Sequence, residues 1–363
     1  MVTKKQHYVP QLLLRRFSIE SAGAAKVNLY DIDRCQFRAN QNIKDVCSGN
    51  YTYDKDNSFE DFLSRNVEAP AALALNEILE MPNNVSKVPS SKILQFMLVQ
   101  LARTRQAYQS NMDAINSMMK TVFMQTAKLN NLDPEDASRL RIEPKEPRSV
   151  LTYITAYAAT QYQLLADLSI CIVVNNTDQE FILSDHPVFQ HNWYLRDSQE
   201  VLRNSITVHG VQFFMPISPT TCICLYDSNI YAYRGTLKGA AIIATPQDVA
   251  VLNTFQALGA DSLLLARSES MAATLKLLGK QYGNKRAFTA VGSNSEPIDA
   301  GDGKLRSTHM VVREQTAIAT MPSFVKVKNK VRRKPSVCSH RNIQAVLDHK
   351  AMDDEMDRRR LAP

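Results

Sequence analysis

Four groups of residues in this chain could do chemistry. His7 stands just ahead of Pro10 and the helix-forming stretch Gln11 to Phe17. Proline suits a first helical turn, where its missing N–H costs nothing. An imidazole before a helix N-terminus is biased to the neutral form by the dipole, and neutral imidazole ligates metals or takes a proton as general base. The plainer alternative is a ring that caps the helix or bonds the core. Asp185 ends the apolar run Phe181-Ile-Leu-Ser and is followed by His186 and Pro187. Strand ends project carboxylates into clefts, although Ser-Asp-x-Pro is also a turn-forming string.

Glu60, Asp61 and Glu68 lie on one expected helix, with Glu60 and Glu68 eight residues apart and so near one face. Paired carboxylates hold a metal or divide acid and base roles, while acids near a helix start also simply answer its dipole. Glu68, farther along and just before Pro70, is the stronger candidate. Arg103 and Arg105 close an apolar helix about 200° apart, so only one can face a given site. A partly buried arginine there needs an anion, which Asp185, Glu68 or a bound phosphate would supply. His7, Asp185 and Glu68 together make a candidate set for a divalent ion, Mg or Mn.

Other chemistries lack their residues. No P-loop, Gly-x-Gly-x-x-Gly or Gly-x-Ser-x-Gly string occurs, His191 and His209 form no His-x-x-x-His pair, and the chain has eleven glycines. Usual nucleotide cradles and serine hydrolysis are disfavoured. Six scattered cysteines without a C-x-x-C pair signal neither zinc nor a disulfide framework. Cys222 and Cys224 alternate along an expected strand and read as core thiols. The most apolar stretch, Leu164 to Val174, is interrupted by Asp167 and too short to span a bilayer, and no leader pattern opens the sequence. The expectation is a soluble, cytoplasmic protein with no membrane partner.

Charge is concentrated at one end. From Pro322 to Arg341 there are seven basic residues, Lys326, Lys328, Lys330, Arg332, Arg333, Lys334 and Arg341, and no acidic one. From Asn342 onward four basic residues face five acidic ones, so the last 42 residues supply +6 of the net +7. Such a run neutralises phosphates and releases counterions, or is a solvated tail. The first six of these residues are the candidate nucleic-acid contacts.

The elements that must position these groups are mostly helical early and extended late. Lys26 to Asp33 alternates as a half-buried strand, with Asn50 to Tyr53 as a second. Ser58 begins a helix that Pro70 should kink. Ser90 or Ser91 begins an apolar helix over Lys92 to Gln109, helical sequence continues through Asn111 to Leu129, and Tyr153 to Ala166 forms another helix. Strands are expected at 168–174, 180–184, 211–215, 222–226 and 230–233, and helices after Pro246 and Glu269. Past Ala287 the sequence turns polar, with a turn at Gly301-Asp-Gly. The fold class is α+β: a helix-rich first half packed on a mixed or antiparallel sheet contributed mainly by the second half. One domain should cover 1–317, followed by a basic, flexible tail over 318–363 with a short terminal helix.

Four segments carry a resemblance. They are Lys5-Gln-His-Tyr-Val-Pro-Gln-Leu-Leu-Leu-Arg-Arg-Phe17, the acidic helix Glu60 to Glu68, Gln100-Leu-Ala-Arg-Thr-Arg105, and Phe181-Ile-Leu-Ser-Asp-His-Pro-Val188 followed by Pro216-Ile-Ser-Pro219. In this order they resemble DUF4238, a family of unknown function, over about residues 5 to 270. His186 stands where the family pattern favours Asn. The resemblance strengthens His7 and Asp185 as site residues and names no activity.

Two readings fit these residues. The first is a phosphodiester hydrolase, a nuclease of host defence for example. In it His7 is base or ligand, Asp185 and Glu68 hold the metal or orient water, and Arg103 or Arg105 stabilises developing phosphate charge. The second is a non-catalytic module with a structural polar core and a basic tail that binds nucleic acid or an acidic protein. An enzyme acting on a small anionic metabolite through the arginines is a third.

Overall fold

The computed structural model describes residues 5–50, 52–84, 90–129, 145–198, 203–234, 241–283, 291–299, 305–313, 318, 320–332 and 339–361. Alternation builds its central sheet. Along Ser169–Val174, Gln212–Ser218 and Thr221–Tyr226, successive side chains point to opposite faces. Ile172, Phe213, Met215, Ile223 and Leu225 join the larger apolar cluster, and Cys171, Val173, Phe214, Cys222 and Cys224 join a second one. Both faces are covered, so these strands read as almost unbroken apolar runs. Cys222 and Cys224 are core thiols on a shared face, as their spacing implies.

The strand order is Ile242–Ile243, Ser169–Val174, Thr221–Tyr226, Gln212–Ser218, Phe189–His191. Only the first pairing is parallel, which makes the sheet mixed. The Ser90–Ala102 helix supplies Ile93, Leu94, Phe96, Met97, Leu98 and Val99 to the larger cluster. The Pro246–Gly259 helix serves the second with Val249, Leu252 and Phe255. Its start is fixed by a reciprocal cap between Thr245 and Asp248. The α+β class is thus observed.

A second sheet joins the two halves of the chain. Ile19–Ser21 and Gln36–Asn42 pair with Ala24–Asp31, which pairs with Leu263–Ala266, which in turn pairs with Leu183–Ser184, all antiparallel. The short strand Lys5–His7 pairs with Ser48–Asn50. First-half strands therefore contribute more sheet than the sequence pattern suggested, because Leu263–Ala266 threads between elements far apart in sequence.

The end of the chain requires one correction, to its tail. Val291–Asp299 pairs antiparallel with Leu305–Arg313 in a stretch that the sequence marked only as polar; the expected turn at Gly301 lies outside the described residues. The expected flexible tail is, in its described part, docked. Val325–Val327 pairs with Tyr231–Tyr233, Phe324 is buried, and Ser323 N–H donates to Asp248 at 2.5 Å. Burying Phe324 contributes about 2 kcal/mol and, with the strand pairing and the Ser323 bond, offsets the entropy of ordering the segment. Farther on, the Arg341 side chain is 1% exposed. It donates to both oxygens of Asp167 and to the carbonyls of Leu164, Ile206 and Val208. The terminal helix Ile343–Leu361 sets His349 flat against Tyr157, whose hydroxyl donates to Asp353 at 2.6 Å.

Candidate functional site

The apolar helix Ser90–Ala102 does not run on to Gln109. It breaks at Arg103-Thr104, and a new helix, Arg105–Leu129, starts behind Thr104. Thr104 Oγ1 caps that helix by accepting the Ala107 N–H at 3.3 Å, and it shares a 2.6 Å hydrogen bond with His186 Nδ1. The break turns Arg103 fully inward and leaves Arg105 71% exposed.

A buried guanidinium costs several kcal/mol unless its donors are met. Arg103 Nε donates to the Tyr8 carbonyl at 3.0 Å and Nη1 to Glu68 Oε1 at 2.7 Å. The Gln100 amide oxygen, turned toward the guanidinium, accepts from Nε at 2.7 Å and Nη2 at 3.1 Å. Burial opposes the Arg103 charge, and Glu68, Tyr53 and Glu60 outweigh it, so its pKa is raised.

Glu68 owes its position to proline. Between the helices Ser58–Leu63 and Ala69–Glu80 the backbone widens into a π turn over Ser64–Glu68, with Pro70 in the first turn beyond. The wider turn accommodates the missing N–H, so the helix is adjusted rather than broken. Glu60, on the preceding segment, is pushed up to about 7 by burial, against the pull of Arg103 and with the help of Glu68. Its Oε2 is buried and meets no hydrogen-bond partner among the described residues. Asp61 lies outward, 3.8 Å from Arg65.

His7 ends the strand Lys5–His7 and is buried, with Nε2 3.1 Å from the Ile43 carbonyl. Its pKa is lowered by burial first, with Arg103 adding to the shift; the neutral imidazole expected from a helix dipole is obtained by desolvation instead. Beside it, Tyr53 is tied to the strand by its N–H to Gln6 Oε1 at 2.8 Å.

Asp185 forms the neighbouring cluster. Its Oδ1 accepts the Asp261 N–H at 2.8 Å. Its Oδ2 accepts the Ser262 N–H at 2.8 Å, the Ser262 hydroxyl at 2.9 Å and the Leu263 N–H at 3.0 Å. This carboxylate organises the turn that leads the chain into strand Leu263–Ala266. Burial and Asp261 push it up to about 6 in spite of these donors. Arg105 Nε lies 3.5 Å from Asp261 Oδ2. Tyr8 links the clusters: its carbonyl takes Arg103, and its phenol, raised by burial, feels Cys47 and Asp185.

Of the residues singled out by sequence, Glu68 and Arg103 form an ion pair whose charges act on His7, while Asp185 and Arg105 meet through Asp261. They do not make the expected metal centre. Among the described residues no group of three or more His, Cys, Asp and Glu side chains could hold a metal ion. Glu68 Oε1 is taken by Arg103 and Asp185 by its four donors, while His7 meets the Ile43 carbonyl through Nε2. His209 lies elsewhere, 3.4 Å from Asp227, and His191 is buried beside Phe189 and Trp193. A groove of about 540 Å³ lined by Ile115, Met118, Val150 and Tyr153 opens between the Arg105–Leu129 and Pro147–Thr160 helices.

Among the basic candidates, Lys326 and Lys328 are half-buried and Lys330 is exposed, and none has an acidic partner among the described residues. Lys328 Nζ donates to the Ser228 carbonyl. Arg332 ends a short helix, Asn329–Arg332, and its side chain, with Arg333 and Lys334, lies outside the described residues.

Sequence reasoning missed Gln100, Thr104, Tyr53 and Ser262. Gln100 had a signal, a polar residue inside an apolar helix three positions before an arginine. Thr104 could have been read as a cap. Tyr53 and Ser262 act through long-range packing and left no local mark.

No helix among the described residues is long and apolar enough to cross a membrane. No curated protein and no solved structure matches the chain. Residues 5–270, which hold His7, Glu68, Arg103 and Asp185 and leave out the basic segment, match the family described as protein of unknown function, and the chain therefore belongs to DUF4238.

Proposed function

We propose that this chain is a non-catalytic binding module. Its polar centre serves the fold, and its basic segment, held on the body rather than trailing from it, contacts nucleic acid. The observation that carries this reading is the contrast between two sets of residues. Arg103 and Asp185 are buried with their polar atoms bonded and His7 is buried with Nε2 on the Ile43 carbonyl, whereas Lys326, Lys328 and Lys330 lack acidic partners among the described residues and sit on or just after the paired strand Val325–Val327. A group that must reach a substrate gains little from being sealed. Lysines without acidic partners on a fixed segment gain a great deal from phosphates, because each contact releases a counterion.

The test is fluorescence anisotropy with a labelled oligonucleotide over a salt series. Affinity should fall steeply as salt rises, and K326A/K328A/K330A should flatten that fall. Salt-independent binding, or a triple variant indistinguishable from the parent, would overturn the reading.

One observation favours the hydrolase as a second reading. Glu60, raised to about 7 with an unbonded oxygen beside Glu68 and Arg103, has the protonation behaviour of a general acid. Glu60→Gln abolishing phosphodiester cleavage while leaving the fold intact would establish it; absence of cleavage by the intact chain would remove it.

A further inference from the structure

We infer that the partner of the basic segment is a duplex gripped by its phosphates, not a single strand held by its bases. This inference rests on the nucleic-acid reading above and narrows it to a substrate class. Single-strand binders combine positive charge with exposed aromatic rings on which bases stack. Here the rings that flank the segment are spent on the core. Tyr231 and Tyr233, on the strand that pairs with Val325–Val327, are 0% and 5% exposed, and Phe324 is 4% exposed. Tyr226 is stacked on Tyr233 with 3.8 Å between ring centroids. Their hydroxyls are engaged as well, Tyr231 donating to the Gly210 carbonyl and accepting the Tyr194 N–H, and Tyr233 accepting from Gln212. Among the described residues the segment offers charge without a stacking platform.

The charges are also spaced and fixed. Lys326 lies opposite Ala232 in the strand pair, and the Lys328 N–H donates to the Ile230 carbonyl at 2.8 Å. Two residues of extended chain carry Lys326 and Lys328 about 6.6 Å apart. That is about two charge intervals along one strand of a duplex, which recur each 3.4 Å of axis. Nearby acids do not cancel them: Asp248 is committed to Thr245 and Ser323, and Asp227 to the Gly210 and Asn229 N–H groups. Because a duplex condenses more counterions than a single strand, each lysine releases about 0.9 ion on the former and about 0.7 on the latter. Without stacking to compensate, the duplex wins.

The experiment is a competition on the intact chain between a labelled DNA duplex and unlabelled duplex or single strand of equal length. The single strand should need about three- to four-fold higher concentration to displace the probe, as three contacts each releasing about 0.2 fewer counterion imply. The salt slope on duplex should drop by about 2.7 in K326A/K328A/K330A, three contacts at about 0.9 each. A single strand that competes as well as duplex overturns this inference and leaves the nucleic-acid reading standing. Failure of both duplex and single strand to bind overturns that reading, and this inference with it.

Discussion

Replacing Arg103 by methionine removes a fully buried guanidinium that ties Tyr8, Glu68 and Gln100 together. The guanidinium is fully buried and satisfies the Tyr8 carbonyl, the Glu68 carboxylate and the Gln100 amide oxygen at 2.7 to 3.1 Å. Methionine keeps much of the volume and none of the donors. Stranding one partner of a buried ion pair costs about 3–5 kcal/mol. Glu68 retains 21% side-chain exposure and will be partly rescued by water, which pulls the pair toward the lower end. The abandoned Tyr8 carbonyl adds about 1 kcal/mol or more. The expected loss is therefore about 4 kcal/mol, a large share of the about 5–15 kcal/mol that holds a domain together. Urea unfolding at pH 7 followed by circular dichroism reads it directly. Adding Glu68→Leu should recover part of the loss, because the two residues are coupled. A single variant within about 1 kcal/mol of the parent would refute the view that Arg103 is a structural keystone.

Other expectations concern acids and the chain end. Asp185→Ala strands three backbone N–H groups and a hydroxyl, so unfolding should be easier by about 3 kcal/mol, with hydrogen exchange rising first at residues 261–263. Glu60 has a folded pKa raised to about 7 from 4.5. Its protonated form favours folding, so this contribution is complete below pH 4.5 and is lost as pH rises through about 7. Glu60→Gln should accordingly stabilise the protein at pH 8 by about 1–2 kcal/mol, a value discounted for partial exposure, and change little at pH 4. Equal effects at both pH values would contradict the assignment. Ending the chain before Pro322 should lower the melting temperature by several degrees, since it removes Phe324 and the strand beside Tyr231–Tyr233. A dispensable tail would leave melting unchanged.

The sequence made the helices and central strands legible because their signals are local. Pro246 with Thr245 and Asp248 marks a helix start, and alternation through Cys222 to Tyr226 marks a strand. What escaped depends on distant partners. The pairing of Leu263–Ala266 with Ala24–Asp31 spans most of the chain, and nothing in either strand announces the other. The break at Arg103-Thr104 competes with good helical sequence on both sides and is won by burial of Arg103 against Tyr8 and Glu68. The site was legible as a set of residues but not as an arrangement. Glu68 and Arg103 do pair, but residue type cannot distinguish a carboxylate that holds a metal from one that neutralises an arginine. The basic segment misled: charge suggested a free tail, while Phe324, Val325 and Arg341 fasten it down.

One titration separates the structural account of the polar centre from a catalytic one. Labelled duplex is incubated with the intact chain, with His7→Gln, and with K326A/K328A/K330A, in the presence of Mn²⁺, and both binding and cleavage are followed. The account predicts an intact probe throughout, unchanged affinity for His7→Gln, and weakened, less salt-sensitive binding only in the lysine variant. Cleavage by the intact chain that disappears in a folded His7→Gln would contradict it and return His7 to the chemistry.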